Sequence, residues 1–205
     1  MRNYRLWIYS FVAVVMIVPI PAHATSAINT IQAQVDKALD LLRNPIENKA
    51  EKEKKILALA DEIFDYTELS RLSLANYWKA FTPKQQKEFT HLFGKLLARD
   101  YMDRIMMYTN EKVTFGKEMR LSENMVEVDS DIMTNTRTIQ MAYRMILENG
   151  DWKVYDVVVE GVSLVLNYRS QFREILTNKS PMDLLKILGE KVGQWKVESK
   201  GKIDA

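Results

Sequence analysis

Acid–base, nucleophilic and metal chemistry depend on a small set of side chains, and this sequence supplies few of them. It holds 2 histidines and 0 cysteines among 205 residues. Without cysteine there is no thiolate nucleophile, thiolate metal site, disulfide or lipid-modified lipoprotein cysteine. His23 falls in an N-terminal leader considered below, which leaves His91. Counting about 100° per residue, His91 lies about 200° from Phe89 and opposite its helix's apolar stripe, so it reads as a solvated group. A Ser–His–Asp triad needs a buried histidine beside both partners, and a zinc site needs several imidazoles or thiolates. The 27 acidic residues could in number support a paired-carboxylate hydrolase. They fall at alternating strand positions or on polar helix faces, where solvation is the expected role. The 7 glycines form neither a G-x-G-x-x-G pattern nor a P-loop. The expectation is a protein that is not an enzyme and carries no metal or organic cofactor.

Two features survive this pass. Asp100 and Arg104 fall four residues apart within an otherwise apolar helix stripe, which reads either as a polar pair at a pocket mouth or as the point where the stripe reaches the domain edge. Met102, Met106, Met107, Met133, Met141 and Met145, among 11 methionines in all, cluster near that helix or in the following strands. Methionine adapts to irregular shapes, which suits a pocket for flexible apolar chains as well as an ordinary core.

The elements that must position these residues follow from periodicity. Ile28, Ile31, Val35, Ala38, Leu39 and Leu42 recur at helical spacing until Asn44-Pro45. A second helix is expected over Lys49 to Ala60, then short helices around Phe64 to Trp78. Thr82-Pro83 is an N-cap with proline at the first helical position and opens a long helix to about Tyr108, with Phe89, Leu92, Phe93, Leu96, Leu97 and Tyr101 as its stripe. From Glu111 the period becomes two, through Val113 and Phe115, Val126 to Ile132, and Ile139 to Leu147. Asn149-Gly150 is a hairpin signal leading into Trp152 to Val159. Four strands in meander order imply an antiparallel sheet. After Glu160-Gly161 the spacing is helical again, with Val162, Val165, Tyr168, Phe172 and Ile175 on one face, and Ser180-Pro181 opens a last helix. The expected fold class is α+β.

Arg2 and Arg5, the apolar stretch from Leu6 to Pro19, and Ala22-His23-Ala24 form the three parts of a cleaved secretory signal. The apolar run is short for a membrane span. Residues 1–24 are therefore expected to be removed, leaving 25–205 as one domain. Loss of Arg2 and Arg5 from the 29 basic residues balances the 27 acids, so nucleic acid is not an expected partner.

Against this background the residues resemble a known family. Phe64-Asp65-Tyr66, then Leu72-Ser73-Leu74-Ala75-Asn76-Tyr77-Trp78 and Thr82-Pro83-Lys84-Gln85-Gln86-Lys87-Glu88-Phe89, look like the MlaC, or toluene-tolerance, family of periplasmic phospholipid carriers. Trp152-Lys153-Val154-Tyr155-Asp156-Val157, Glu160-Gly161-Val162-Ser163-Leu164-Val165 and Asn167-Tyr168-Arg169-Ser170-Gln171-Phe172 carry the likeness more specifically and in the family's order. One departure is Ala75, where the family pattern has glycine. The resemblance implies helices packed on a four-stranded sheet in an NTF2-like arrangement, enclosing an apolar pocket for acyl chains with the head group outside. It implies a shuttle carrying phospholipid cargo between an outer-membrane lipoprotein–porin complex and an inner-membrane ABC transporter with an MCE ring, maintaining outer-membrane lipid asymmetry. For such a soluble shuttle a monomer is the simplest state.

On that reading the expected lipid-binding residues are Leu97, Tyr101, Met141, Tyr143, Val157, Val159, Val162, Val165, Tyr168 and Phe172. Periodicity places them inside without separating pocket wall from solid core. A periplasmic enzyme of the same fold and a protein–protein adaptor with a filled core are the competing functions. The first would need a polar constellation in the pocket, for which Asp100, Tyr101 and Arg104 are the hints; the second would need no cavity.

Overall fold

A computed structural model describes residues 26–108 and 110–203, with side chains through residue 193. The expected leader, 1–24, lies outside these residues. Among the described residues no helix is long and apolar enough to cross a membrane.

Helix α1 (Ala27–Arg43) starts where the Ser26 side chain accepts from the Asn29 amide, and α2 (Lys49–Ile63) starts where Asn48 does the same for Glu51. Helix α2 runs past the expected Ala60, which brings Ile63 into the interior at 7% exposure. Asp65 caps α3 (Tyr66–Leu74) by accepting from the amides of Thr67 and Glu68, both at 2.9 Å. A 3-10 turn, Ala75–Ala80, leads to α4 (Pro83–Met106). The start of α4 is a full capping box: Thr82 Oγ1 accepts from the Gln85 amide at 3.3 Å, and Gln85 Oε1 accepts from the Thr82 amide at 2.9 Å.

Strands β1 (Lys112–Arg120), β2 (Met125–Met133), β3 (Thr138–Glu148) and β4 (Asp151–Val159) follow as an antiparallel meander. The β3–β4 turn places Asn149 at φ 51° and Gly150 at φ 92°, the left-handed pair that a two-residue hairpin requires. Glu160 and Gly161 repeat this geometry at φ 49° and 81°. The chain therefore reverses once more into β5 (Val162–Ser163), giving a five-stranded sheet in the order β1-β2-β3-β4-β5 rather than the expected four. Helix α5 (Leu164–Asn178) begins two residues later than its apolar spacing suggests, and α6 (Pro181–Ile203) completes the fold. The α+β class holds.

The apolar interior is divided. One cluster joins α3, α4, α5 and α6 around Leu69, Phe89, Phe93, Phe172 and Leu184. A second covers one sheet face with Val126, Val128, Tyr143, Met145, Val154 and Val157, closed by Ala27, Ile31 and Ile63. A third, of Leu42, Ile56 and Met102, ties α1 and α2 to the end of α4.

Candidate functional site

A domain of this size usually builds one contiguous core with small satellites. Here there are three clusters: the helical and third clusters share the C-terminal half of α4, and the sheet cluster joins the helical one at Phe64. Phe64 borders both the helical and the sheet clusters, while Tyr101 and Met102, adjacent in α4, belong to the helical and third clusters. Burial pushes the Tyr143 pKa up, a hydrogen bond with the Ser130 hydroxyl opposes it, and Tyr108, at the edge of the third cluster, adds a smaller upward push. Helix α4 packs mainly on α6, α3 and α2, whereas the sheet is approached by α1, α2, α3 and α5. At the edges of the clusters, the seams of the interior, side chains are half-buried: Tyr101 of the helical cluster, Ile105 and Met106 of the third, and Phe115, Met141 and Val159 of the sheet cluster. Ser130, in register with Met141, is buried at 3% exposure with its hydroxyl beside the Tyr143 phenol.

The ten expected residues separate along this division. Met141, Tyr143, Val157 and Val159 belong to the sheet cluster. Their common face depends on a bulge: Tyr143 pairs with Val157 but Met145 pairs with Val154, so Tyr155 is stepped over and two inward valines stand three residues apart. Leu97, Tyr101, Val165, Tyr168 and Phe172 belong to the helical cluster. The Phe172 ring lies 5.2 Å from that of Phe89 and 5.1 Å from that of Phe93, in edge-to-face contacts. Val162 stands apart from both clusters, 57% exposed on β5. The two clefts of about 670 and 570 Å³ lie elsewhere and include none of the ten.

Asp100 and Arg104 do not pair with each other. Asp100 Oδ2 instead accepts from the Tyr168 hydroxyl at 2.8 Å, tying α4 to α5, and Arg104 is exposed. Burial, then this hydrogen bond, pushes the Tyr168 pKa up. The polar feature that sequence reasoning missed is Asp156, 2% exposed on β4. Its Oδ2 accepts from Ser163 Oγ at 2.6 Å and Arg144 Nη1 at 3.1 Å, and its Oδ1 accepts from the Val165 amide at 3.0 Å. Arg144 also donates to Glu127 at 2.7 Å. Glu127, Arg144 and Asp156 are direct register partners across β2, β3 and β4, so the carboxylates flank one guanidinium. Asp156 thereby fixes β4, β5 and the first turn of α5 to one another, where an anion also meets the positive helix terminus. The spacing Asp156-x6-Ser163-x-Val165 encoded this anchor, but the alternation expected of β4 gave no sign that Asp156 turns toward a helix start.

Chemically, the seam offers apolar walls, flexible methionine and a few isolated hydroxyls. Among the described residues no group of three or more His, Asp or Glu side chains is placed to hold a metal ion.

Comparison with known proteins places the chain. A profile of the MlaC protein family matches residues 32–190. The intermembrane phospholipid transport system binding protein MlaC of Haemophilus influenzae is 28% identical over 117 residues, covering 55% of this chain and 54% of that protein. The toluene tolerance protein ttg2D of Pseudomonas putida is 26% identical over 102 residues, covering 49% and 47%. The chain thus spans about half the length of these relatives. A phospholipid-binding protein from Ralstonia solanacearum, solved in complex with a phospholipid, shares the fold at a TM-score of 0.76 and 23% identity, over 84% of this chain and 99% of that one. With a match that covers most of its length and a shared fold, the chain belongs to the MlaC family.

Proposed function

We propose that this protein is a periplasmic carrier that holds a phospholipid by its acyl chains in the seam between the sheet and the C-terminal half of α4. The observation that carries the reading is the divided interior: three apolar clusters, each edged by half-buried methionine or aromatic side chains, instead of one closed core. The fold of a protein solved with a bound phospholipid supports it. In this reading Met141, Tyr143, Val157 and Val159 supply the sheet wall, and Leu97 and Tyr101, at the edge of the helical cluster on α4, supply the other. Val165, Tyr168 and Phe172 back that wall from α5, and Val162 stands outside it. The buried Ser130 hydroxyl, beside the Tyr143 phenol, can donate to an ester carbonyl of the cargo.

Energetics constrain how such a carrier works. Two chains of about fifteen methylenes, at about 0.8 kcal/mol per CH₂, correspond to a gross transfer free energy near 24 kcal/mol relative to water. That exceeds the practical affinity ceiling of about 20 kcal/mol. The relevant reference is instead lipid already in a membrane, from which transfer into an apolar protein interior is close to neutral. Exchange is then controlled kinetically, by partners that open the seam. The partners are an outer-membrane lipoprotein–porin complex and an inner-membrane ABC transporter with an MCE ring, and they set the direction.

Native and denaturing mass spectra of the protein purified from the periplasm without detergent test this reading. A phospholipid-sized mass that dissociates on denaturation is expected. A protein of apo mass under both conditions would sink it and favour an adaptor with a filled core, and turnover of a lipid ester would favour an enzyme.

A further inference from the structure

A second recess lies away from the sheet, between α2, α3 and the 3-10 turn on one side and the N-terminal half of α4 on the other, with a volume of about 670 Å³. Its apolar surface comes from Leu57, Tyr66 and Trp78. Along α4, Thr90, Gly94 and Ala98 recur every four residues and form a low floor. At Gly94 a β-carbon would sit 3.4 Å from the Tyr66 ring, ordinary contact distance, so the Tyr66 ring lies over Gly94. The adjoining ridge of α4 is Lys87, His91 and Lys95, again every four residues, and all three border the recess. Opposite them Asp61 is the one acidic residue of the lining. Neither Lys87 nor Lys95 forms an ion pair with a described residue.

We infer that this groove is a docking site for an acidic amphipathic helix of a partner protein, its small or apolar face on Leu57, Tyr66 and Trp78 and its carboxylates on Lys87, His91 and Lys95. The argument is charge complementarity along this ridge: Lys87 and Lys95, two turns apart, match carboxylates at the same spacing on a helix laid alongside, and the His91 imidazole between them offers a further polar contact. The recess is concave beside this ridge, with the small Thr90 and Ala98 flanking the Tyr66 ring, which suits a helix laid along it better than a flat bilayer. The groove shares no residue with the proposed lipid walls, so this inference stands independently of the cargo.

The test uses the whole mature protein and two labelled synthetic helices of identical apolar face, one with Glu and one with Lys at every fourth position of the other face. Anisotropy should show binding of the Glu helix alone, and its addition should shift the amide resonances of Tyr66, Thr90, Gly94 and Ala98. Lys87→Gln with Lys95→Gln should weaken that binding about five- to tenfold, as expected for two exposed ion pairs, with lipid content unchanged by native mass spectrometry. Absence of binding, equal binding of the Lys helix, or resonance shifts confined to other surfaces would overturn the proposal. So would capture of the protein by vesicles of anionic phospholipid that the same double variant abolishes, since the basic ridge would then be reading a membrane.

Discussion

The helical side and the sheet side of this molecule are built from similar residues and packed to different degrees. On the helical side Phe89 and Phe93 are 0% exposed, and Phe81, Phe89, Phe93, Tyr168 and Phe172 interlock with ring centroids 4.9 to 5.8 Å apart. On the sheet side Val128, Met145 and Val154 form a fully buried floor, but Phe115, Met141, Trp152 and Val159 around it are only partly covered. The first region spends its apolar surface on stability. The second keeps part of it in reserve, which is what a binding wall requires. Mutations on the two sides should therefore separate stability from cargo.

The largest effect sharpens that division. Phe93→Ala removes a ring from the centre of the aromatic lock and should cost about 3–5 kcal/mol by denaturant titration, with any folded fraction still carrying lipid. A cost under about 1 kcal/mol would mean that the helical side is also loosely packed. Asp156→Ala probes the joint between the regions. It leaves Arg144 short of a partner and frees Ser163 Oγ and the Val165 amide, so a loss of about 2–4 kcal/mol is expected. Faster amide exchange at the start of α5 should accompany it. Unchanged exchange there would show that α5 is held by packing alone.

The smallest effect is a gain. Ala75 sits at φ 48°, ψ −121° where α3 ends, a conformation that costs an L-residue with a β-carbon and suits glycine. Ala75→Gly should raise stability by about 1 kcal/mol, the relief of strain exceeding the added chain entropy, and leave lipid content unchanged. A lower melting temperature would mean that Ala75 is held without strain.

Much of this was legible in the sequence where local chemistry decides local structure. Thr82-Pro83 marks the start of α4, Asn149-Gly150 marks the hairpin, and alternation in β2 and β3 assigns Val126, Val128, Tyr143 and Met145 to one face. The odd alanine at position 75 marked the backbone conformation that the structure contains. The remainder failed for definable reasons. The shared spacing of Val162 and Val165 places the helix directly after Glu160-Gly161; two consecutive left-handed residues there make a hairpin turn instead, and Val162 leaves the interior for β5. Asp156 stayed hidden because its partners, Arg144, Ser163 and Val165, are brought together only by the register and by the bulge at Tyr155. Walls and solid core remained indistinguishable by periodicity, since both present apolar side chains inward. Their separation depends on how closely α4 approaches the sheet, a long-range property.

The central claim is that acyl chains occupy the seam beside the sheet, and photo-methionine labelling of the lipid-loaded protein tests it most directly. Photolysis followed by peptide mapping should place phospholipid adducts on Met141, at the half-buried rim of the sheet, and leave Met119 and Met182, which are 52% and 61% exposed, unmodified. Lipid-loaded protein whose adducts fall on Met119 or Met182 and spare Met141 would contradict the account.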